Sequence, residues 1–367
     1  MVWTRMKKAL AGAALALTAS GAWAADPLKP PAVQPAPTPV IQHNHGHLLG
    51  LPANWHHCGN DGCVWLYGSA EALWLRRTDS RRENLTFNDV PVFVLNTDQG
   101  EFDHEIGMRL IVGMFLDRNT SLEALYFGLQ DWSKSASVTD PAETLQPYWG
   151  QFGIIGGLDD SSFTDAFAHG FTYDSRLHNF ELNLRQWYSP YLSTLVGFRY
   201  VYVRDKFGFF SFDQPGVAIG GPGFGMYQVN TKNHLLGLQV GADGNYPVLW
   251  DNLLVGIRGK AGMFINSAKQ TSRFFNNPIG GAPITDAITD EDGNRLAGLI
   301  EIGAYVTYWI TPNIAVRGGY DLIYVAGLAL APENLDNSPL PLNARSNLKD
   351  NGDIIYHGPS IGVEFKW

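Results

Sequence analysis

Ten stretches of the chain alternate in side-chain character. In residues 103–116 the even positions are His104, Ile106, Met108, Leu110, Val112, Met114 and Leu116. The odd positions are Asp103, Glu105, Gly107, Arg109, Ile111, Gly113 and Phe115. A period of two is the mark of a strand, because successive side chains point to opposite faces. In 173–188, Phe180, Leu182 and Leu184 oppose Asn179, Glu181, Asn183 and Arg185. In 253–266, Leu253, Val255, Ile257, Ala261, Met263 and Ile265 oppose Arg258 and Lys260. In 294–309, Leu296, Ile300, Ile302, Ala304 and Val306 oppose Arg295 and Glu301, and in 314–324, Val316, Tyr320 and Leu322 oppose Arg317 and Asp321. The remaining segments are 64–77, 120–130, 192–205, 227–244 and 354–367. One oily face and one polar face over about nine to eleven residues is what a strand needs to cross a bilayer.

A soluble β-sandwich alternates too, and three further features separate the two. The connections 117–119, 189–191, 245–252 and 310–312 are short. Between them lie the long connections 79–102, 131–172, 206–226, 267–293 and 327–353. Short and long alternate without exception, as they do in barrels with short periplasmic turns and long external loops. The five long connections also carry the whole formal net charge of the exported chain, so leader, strands and short turns together are neutral. Finally, Trp187, Tyr188, Tyr191, Tyr246, Trp250, Tyr308, Trp309 and Trp367 gather at the short turns. Tyr126, Trp132, Tyr202, Phe207, Phe274, Phe275 and Tyr324 gather toward the long ones, so two aromatic bands are expected at the two membrane interfaces. The pattern predicts an all-β, transmembrane, up-and-down antiparallel β-barrel of about ten strands, with eight and twelve as alternatives.

The two ends of the chain agree with export. Arg5, Lys7 and Lys8 precede an apolar run too short to span a bilayer, and Ala22-Trp23-Ala24 is a small-x-small cleavage pattern. Residues 1–24 are therefore expected to be a signal peptide. Its loss, with three bases and no acid, takes the formal charge from −9 to −12. So acidic a chain is a poor nucleic-acid binder. Residues 25–63 form a proline- and histidine-rich periplasmic leader, whose composition cannot bury a core, and 64–367 is the barrel. The leader holds Cys58 and Cys63, a disulfide candidate in an oxidising compartment. His43, His45, His47, His56 and His57 lie nearby, but their spacing matches no zinc module, and no metal or cofactor is expected. At the other end Ile355, His357, Pro359, Ile361, Val363, Phe365 and Trp367 share one face. A final alternating strand with a terminal aromatic is the pattern that barrel-assembly machinery recognises. Pro359 cannot donate a ladder hydrogen bond, so a bulge or a weak point is expected at the closing seam.

Several short motifs resemble the beta-barrel porin family seven, a planctomycete-type group of outer-membrane proteins. They are Leu66-Tyr67-Gly68-Ser69-Ala70-Glu71-Ala72-Leu73-Trp74, Leu122-Glu123-Ala124-Leu125-Tyr126-Phe127-Gly128, Ile310-Thr311-Pro312-Asn313 running into Arg317-Gly318-Gly319-Tyr320, and Gly362-Val363-Glu364-Phe365-Lys366-Trp367. Their order and spacing carry the likeness over residues 64–367. The resemblance implies a barrel in the bacterial outer membrane, contacting its lipid, with a porin as the nominal activity and no catalytic residues to transfer.

The expected lumen residues are Glu71, Glu105, Arg109, Glu123, Glu181, Arg185, Arg199, Asp243, Arg258, Lys260, Glu301, Arg317, Asp321, Glu364 and Lys366. Eight acids face seven bases in a barrel near the narrow end of the size range, where unpaired charge is costly. Two readings follow. The charges line a narrow, weakly selective pore for small solutes, or they lock a closed barrel that anchors its loops. A third reading, a protease at the outer rim, rests on Asp159, Asp160 and His169. No nucleophile motif accompanies them, and no enzyme is expected. Asp286 with Asp290-Glu291-Asp292-Gly293-Asn294 departs from the spacing of a calcium loop and is expected to be a solvated turn. Residues 215–225 are expected either to fold inward as a constriction or to cover a rim.

Overall fold

The computed structural model describes residues 66–78, 80–89, 92–148, 160–248, 250–335 and 348–367. The expected signal peptide, the leader with Cys58 and Cys63, and Asp159 lie outside the described residues. Ten antiparallel strands close into a barrel: β1 (Leu66–Arg77), β4 (Glu105–Phe115), β5 (Thr120–Thr139), β7 (Ala168–Ser189), β8 (Leu192–Phe212), β9 (Phe224–Val248), β10 (Trp250–Asn277), β11 (Thr285–Trp309), β12 (Ile314–Leu328) and β13 (Gly352–Lys366). Each pairs with its neighbour in the chain, and β1 pairs with β13 to close the ring. Three short strands, β2 (Asn84–Phe87), β3 (Phe93–Asn96) and β6 (Gln146–Pro147), form a separate small sheet in the order β3-β2-β6.

Six consecutive strands, β5 to β11, run to 20–28 residues. Twenty-five residues extend about 80 Å along a strand, far more than the roughly 25 Å apolar band of an outer-membrane barrel needs. Much of what the alternation marked as long loops is thus strand. Residues 267–277 and 285–293 form a hairpin, and the acidic stretch 290–294 is strand, not turn. Strand character was hidden because the outward residues there are no longer apolar. On β9 the outward face runs Gln228, Asn230, Lys232, His234 and then Leu236, Leu238, Val240 and Ala242. The polar part stands in water and the apolar part faces lipid. Met263 and Ile265 on β10, exposed by 70% and 63%, belong to the same lipid-facing band.

The inward faces reverse this order. At lipid level they carry the charges. Beyond it they build the main hydrophobic core, which includes Phe171, Tyr173, Val203, Phe207, Phe209, Val229 and Phe274. Leu85 and Leu95 of the small sheet, Leu328 at the end of β12, and Leu330, Ala331 and Leu335 after it fill this core from the loop end. The Leu328–Leu335 stretch is held by two buried amides. Asn233 Nδ2 donates to the Ala329 carbonyl at 2.8 Å while its Oδ1 accepts from the Ala329 N–H at 2.7 Å, and Asn266 Nδ2 donates to the Gly327 carbonyl at 2.8 Å.

The aromatic bands need correction at several residues. Trp132, Phe207 and Phe274 are core residues, and Trp309 is buried at the turn end. Trp132 is turned inward by a β-bulge. Leu129 adopts a left-handed φ of 76°, and the β5–β7 register shifts between Gly128 and Gln130. One extra residue exchanges the two faces of the strand. At the seam, pairing between β1 and β13 runs to Leu73–Ser360 and resumes at Arg76–His357 in the same register. Pro359 therefore leaves two rungs unmade without a bulge. A Cβ on the adjacent Gly358 would stand 1.9 Å from the Trp74 carbonyl oxygen, so only glycine fits that approach.

Candidate functional site

Alternation places the expected lumen residues on the inward faces, and antiparallel register decides which of them meet. At lipid level four acids and four bases form a buried charged network of two adjoining clusters. Arg109 on β4 reaches Glu71 at 2.9 Å and Asp321 at 3.1 Å, and Arg258 reaches Asp321 at 2.6 Å. Arg199 bridges Glu301 at 2.9 Å and Glu181 at 3.4 Å, while Lys260 lies 2.9 Å from Glu181 and 3.8 Å from Glu301. Asn183 and Gln239 donate further hydrogen bonds to Glu181 at 3.1 and 2.7 Å. The side chains of Arg109, Arg199 and Glu181 have no exposed surface.

Nearer the short turns, Arg185 takes Glu123 in a two-pronged pair at 3.0 and 3.1 Å and also donates to Asp243 at 2.5 Å. Arg317 pairs with Glu364 at 2.8 Å, and Lys366 lies 3.8 Å from the centre of the Trp309 ring. These groups line a small vestibule of about 130 Å³ together with Tyr67, Trp187 and Tyr305. Glu105 faces inward and is half-buried at the loop-end margin of β4. Without it, the lumen residues balance at seven acids and seven bases.

On the core side of the network, the Phe127 ring lies 5.7 Å from both the Arg109 and the Arg199 guanidinium centres, measured to its centroid, and joins the hydrophobic core. Within that core sits a second buried ion pair which the alternation did not single out. Arg77 meets Asp205 at 3.0 Å, and Tyr173 and Ser175 both donate to Asp205 at 2.7 Å. Arg77 and Asp205 lie at the ends of their predicted strands, where no pattern distinguished inward from rim. Parity marks Arg185 and Glu123 each as inward, and the fold brings the two together.

His169, the rim candidate for a protease, is fully buried on β7. Its imidazole nitrogens meet the Thr86 hydroxyl at 2.9 Å and the Phe163 carbonyl at 3.1 Å, neither of them a carboxylate. Burial pushes its pKa down to about 3, so it stays neutral. Asp160 is buried beside Phe163, whose N–H donates to the Asp160 carbonyl at 2.8 Å. The acids of β11 are spread along an extended strand. Asp286 pairs with Arg273 at 2.8 Å and Asp290 accepts from Thr271 at 2.5 Å. Residues 214–222 lie mostly exposed at the rim, where Asn277 donates to the Gly220 carbonyl at 2.9 Å, so they cover it and do not constrict the lumen.

A closed antiparallel barrel with an apolar outer band and a charged interior defines a transmembrane β-barrel of the outer-membrane class. The chain is similar in fold to the outer membrane protease OmpT from Escherichia coli, with a TM-score of 0.40, 9% identity, and coverage of 84% of this chain and 99% of that one. It is also similar to Ail, the attachment invasion locus protein of Yersinia pestis, with a TM-score of 0.23, 7% identity, and coverage of 82% and 99%. For the toluene transporter TodX of Pseudomonas putida the TM-score is 0.23 at 10% identity, covering 84% and 90%. No family model matches the chain, and no curated protein matches it.

Proposed function

We propose that the protein is a closed anchoring barrel of the bacterial outer membrane, whose tall external wall and loops are its working surface. The observation that carries this reading is the double closure of the interior. Buried ion pairs fill the section at lipid level, and a hydrophobic core fills the section above it. A solute would have to part both layers. Separating a buried charge from its partner costs about 3–5 kcal/mol, and the network would have to yield several pairs at once. The porin reading draws on the charged vestibule at the turn end, yet that cavity of about 130 Å³ ends against the network. Planar-bilayer recordings of the refolded protein test the proposal. The expected result is a trace at the lipid baseline, and reproducible ionic steps would overturn closure in favour of a narrow pore.

A further inference from the structure

Outward residues on β7 to β10 place four cations side by side. Arg176 stands opposite Arg204, Arg204 opposite Lys232, and Lys232 opposite Lys269. Directly opposed residues have Cβ atoms about 4.5–5.5 Å apart, and like charges so placed destabilise a sheet. The outer members of the row are compensated: Arg176 meets Asp131 at 2.6 Å and Lys269 meets Asp290 at 3.6 Å. Asp174 and Lys206 stand opposite each other one outward step higher, and Asp292 stands opposite Lys269. The two central cations, Arg204 and Lys232, make no ion pair among the described residues, and the Arg204 Nε is buried without a hydrogen-bond acceptor. A surface hollow lined by Asp131, Ser133, Asp174, Arg176, Arg204 and Lys206 opens at one end of the row.

The height of the row identifies what would neutralise it. One outward step nearer the bilayer lie His178, Tyr202 and His234, again in register, and one step further lie Phe180, Tyr200, Leu236 and Ile265. Each outward step is about 7 Å along a strand. The cations therefore stand one to two steps beyond the lipid-facing band, at the depth of headgroups rather than of tails. The geometry points to a binding site for a phosphate-bearing lipid headgroup in the leaflet at the loop end, with Arg204 and Lys232 as its central ligands. This inference rests on the transmembrane class of the barrel and is independent of whether the lumen conducts.

The full-length chain, refolded in neutral detergent, is compared with the double variant Arg204→Gln/Lys232→Gln by native mass spectrometry and thermal unfolding. Probes are a bis-phosphorylated glycolipid, its dephosphorylated form, and inorganic phosphate. The wild-type protein should retain the phosphorylated lipid and melt higher with it, and the dephosphorylated lipid should do neither. At about 1 kcal/mol per basic residue near a charged interface, the double variant should bind roughly 30-fold more weakly. Without lipid the variant should melt at the same temperature as wild type or higher, because repulsion is relieved, so weaker binding cannot be ascribed to misfolding. Equal retention of the two lipids by wild type, undiminished binding by the variant, or full stabilisation by inorganic phosphate alone would each overturn the assignment.

Discussion

The same strands pass through two regions built on opposite rules. At lipid level β9 shows Leu236, Leu238 and Val240 outward and Gln239 inward. Twenty ångströms or so further along it shows Lys232, Asn230 and Gln228 outward and Thr231, Val229 and Tyr227 inward. The backbone does not change, only the solvent on the far side of the wall. The lower region is an inside-out protein held by charge, and the upper is an ordinary globular core whose shell happens to be a barrel. Alternation reports that two faces differ, but it does not say which face meets water.

Inward substitutions should break this comparison most strongly, and for different reasons in the two regions. Asp321→Ala leaves Arg109 and Arg258 buried without their shared partner and should destabilise by about 3–5 kcal/mol. Phe207→Ala opens a cavity in the upper core and should cost a similar 3–5 kcal/mol. Urea titrations of refolded protein give both values. Asp321→Asn should recover part of the first loss by keeping a hydrogen-bond acceptor, whereas Phe207→Leu should recover much of the second. An Asp321→Ala variant as stable as wild type would remove the network from any structural role.

Outward substitutions sharpen the boundary. Leu238→Arg places a charge against lipid and should cost about 2–4 kcal/mol. Asn230→Glu, on the same face of the same strand and opposite Lys206, should stay within about 0.5 kcal/mol. Similar losses at the two positions would mean that the apolar band extends past the His178–Tyr202–His234 level.

The smallest effect is the pH response of the upper region. His169 is neutral in the folded protein down to about pH 3, while in the unfolded chain it titrates near 6.5. Below pH 6.5 the unfolded state binds the extra proton, so stability falls as pH drops through the window from 6.5 toward 3. The slope approaches 1.4 kcal/mol per pH unit, or about 2 kcal/mol lost by pH 5. No contribution is present at pH 7.5, where both states are neutral. His169→Gln, compared with wild type at pH 7.5 and pH 5, should lack this component, and an unchanged acid dependence would show that other groups govern it.

Ten strands and their order can be traced by counting in twos. What escaped was decided by things that counting cannot see. Leu129 inserts a bulge that exchanges the faces of β5, so Trp132, which alternation assigns to an interfacial band, fills the core. The extensions of β7 to β11 escaped because polar outward residues in a strand look the same as a loop. Asn233 and Asn266 escape counting because their partners are backbone atoms at and just after the end of β12, a contact with no sequence periodicity. The sequence leads one to expect a bulge or a weak point at Pro359, and the structure shows two omitted rungs and no bulge there.

That seam sets the order of events when the chain folds. It joins Leu66–Arg77 to Gly352–Lys366, whereas every other barrel ladder joins strands consecutive around the wall and close along the chain. Hairpins gain their contacts at small loop-closure entropy, and the ring-closing ladder must wait until nearly the whole chain is laid down. With two rungs missing at Pro359, the ladder that forms last is also an interrupted one. Lateral opening of the wall should begin between Trp74 and Gly358.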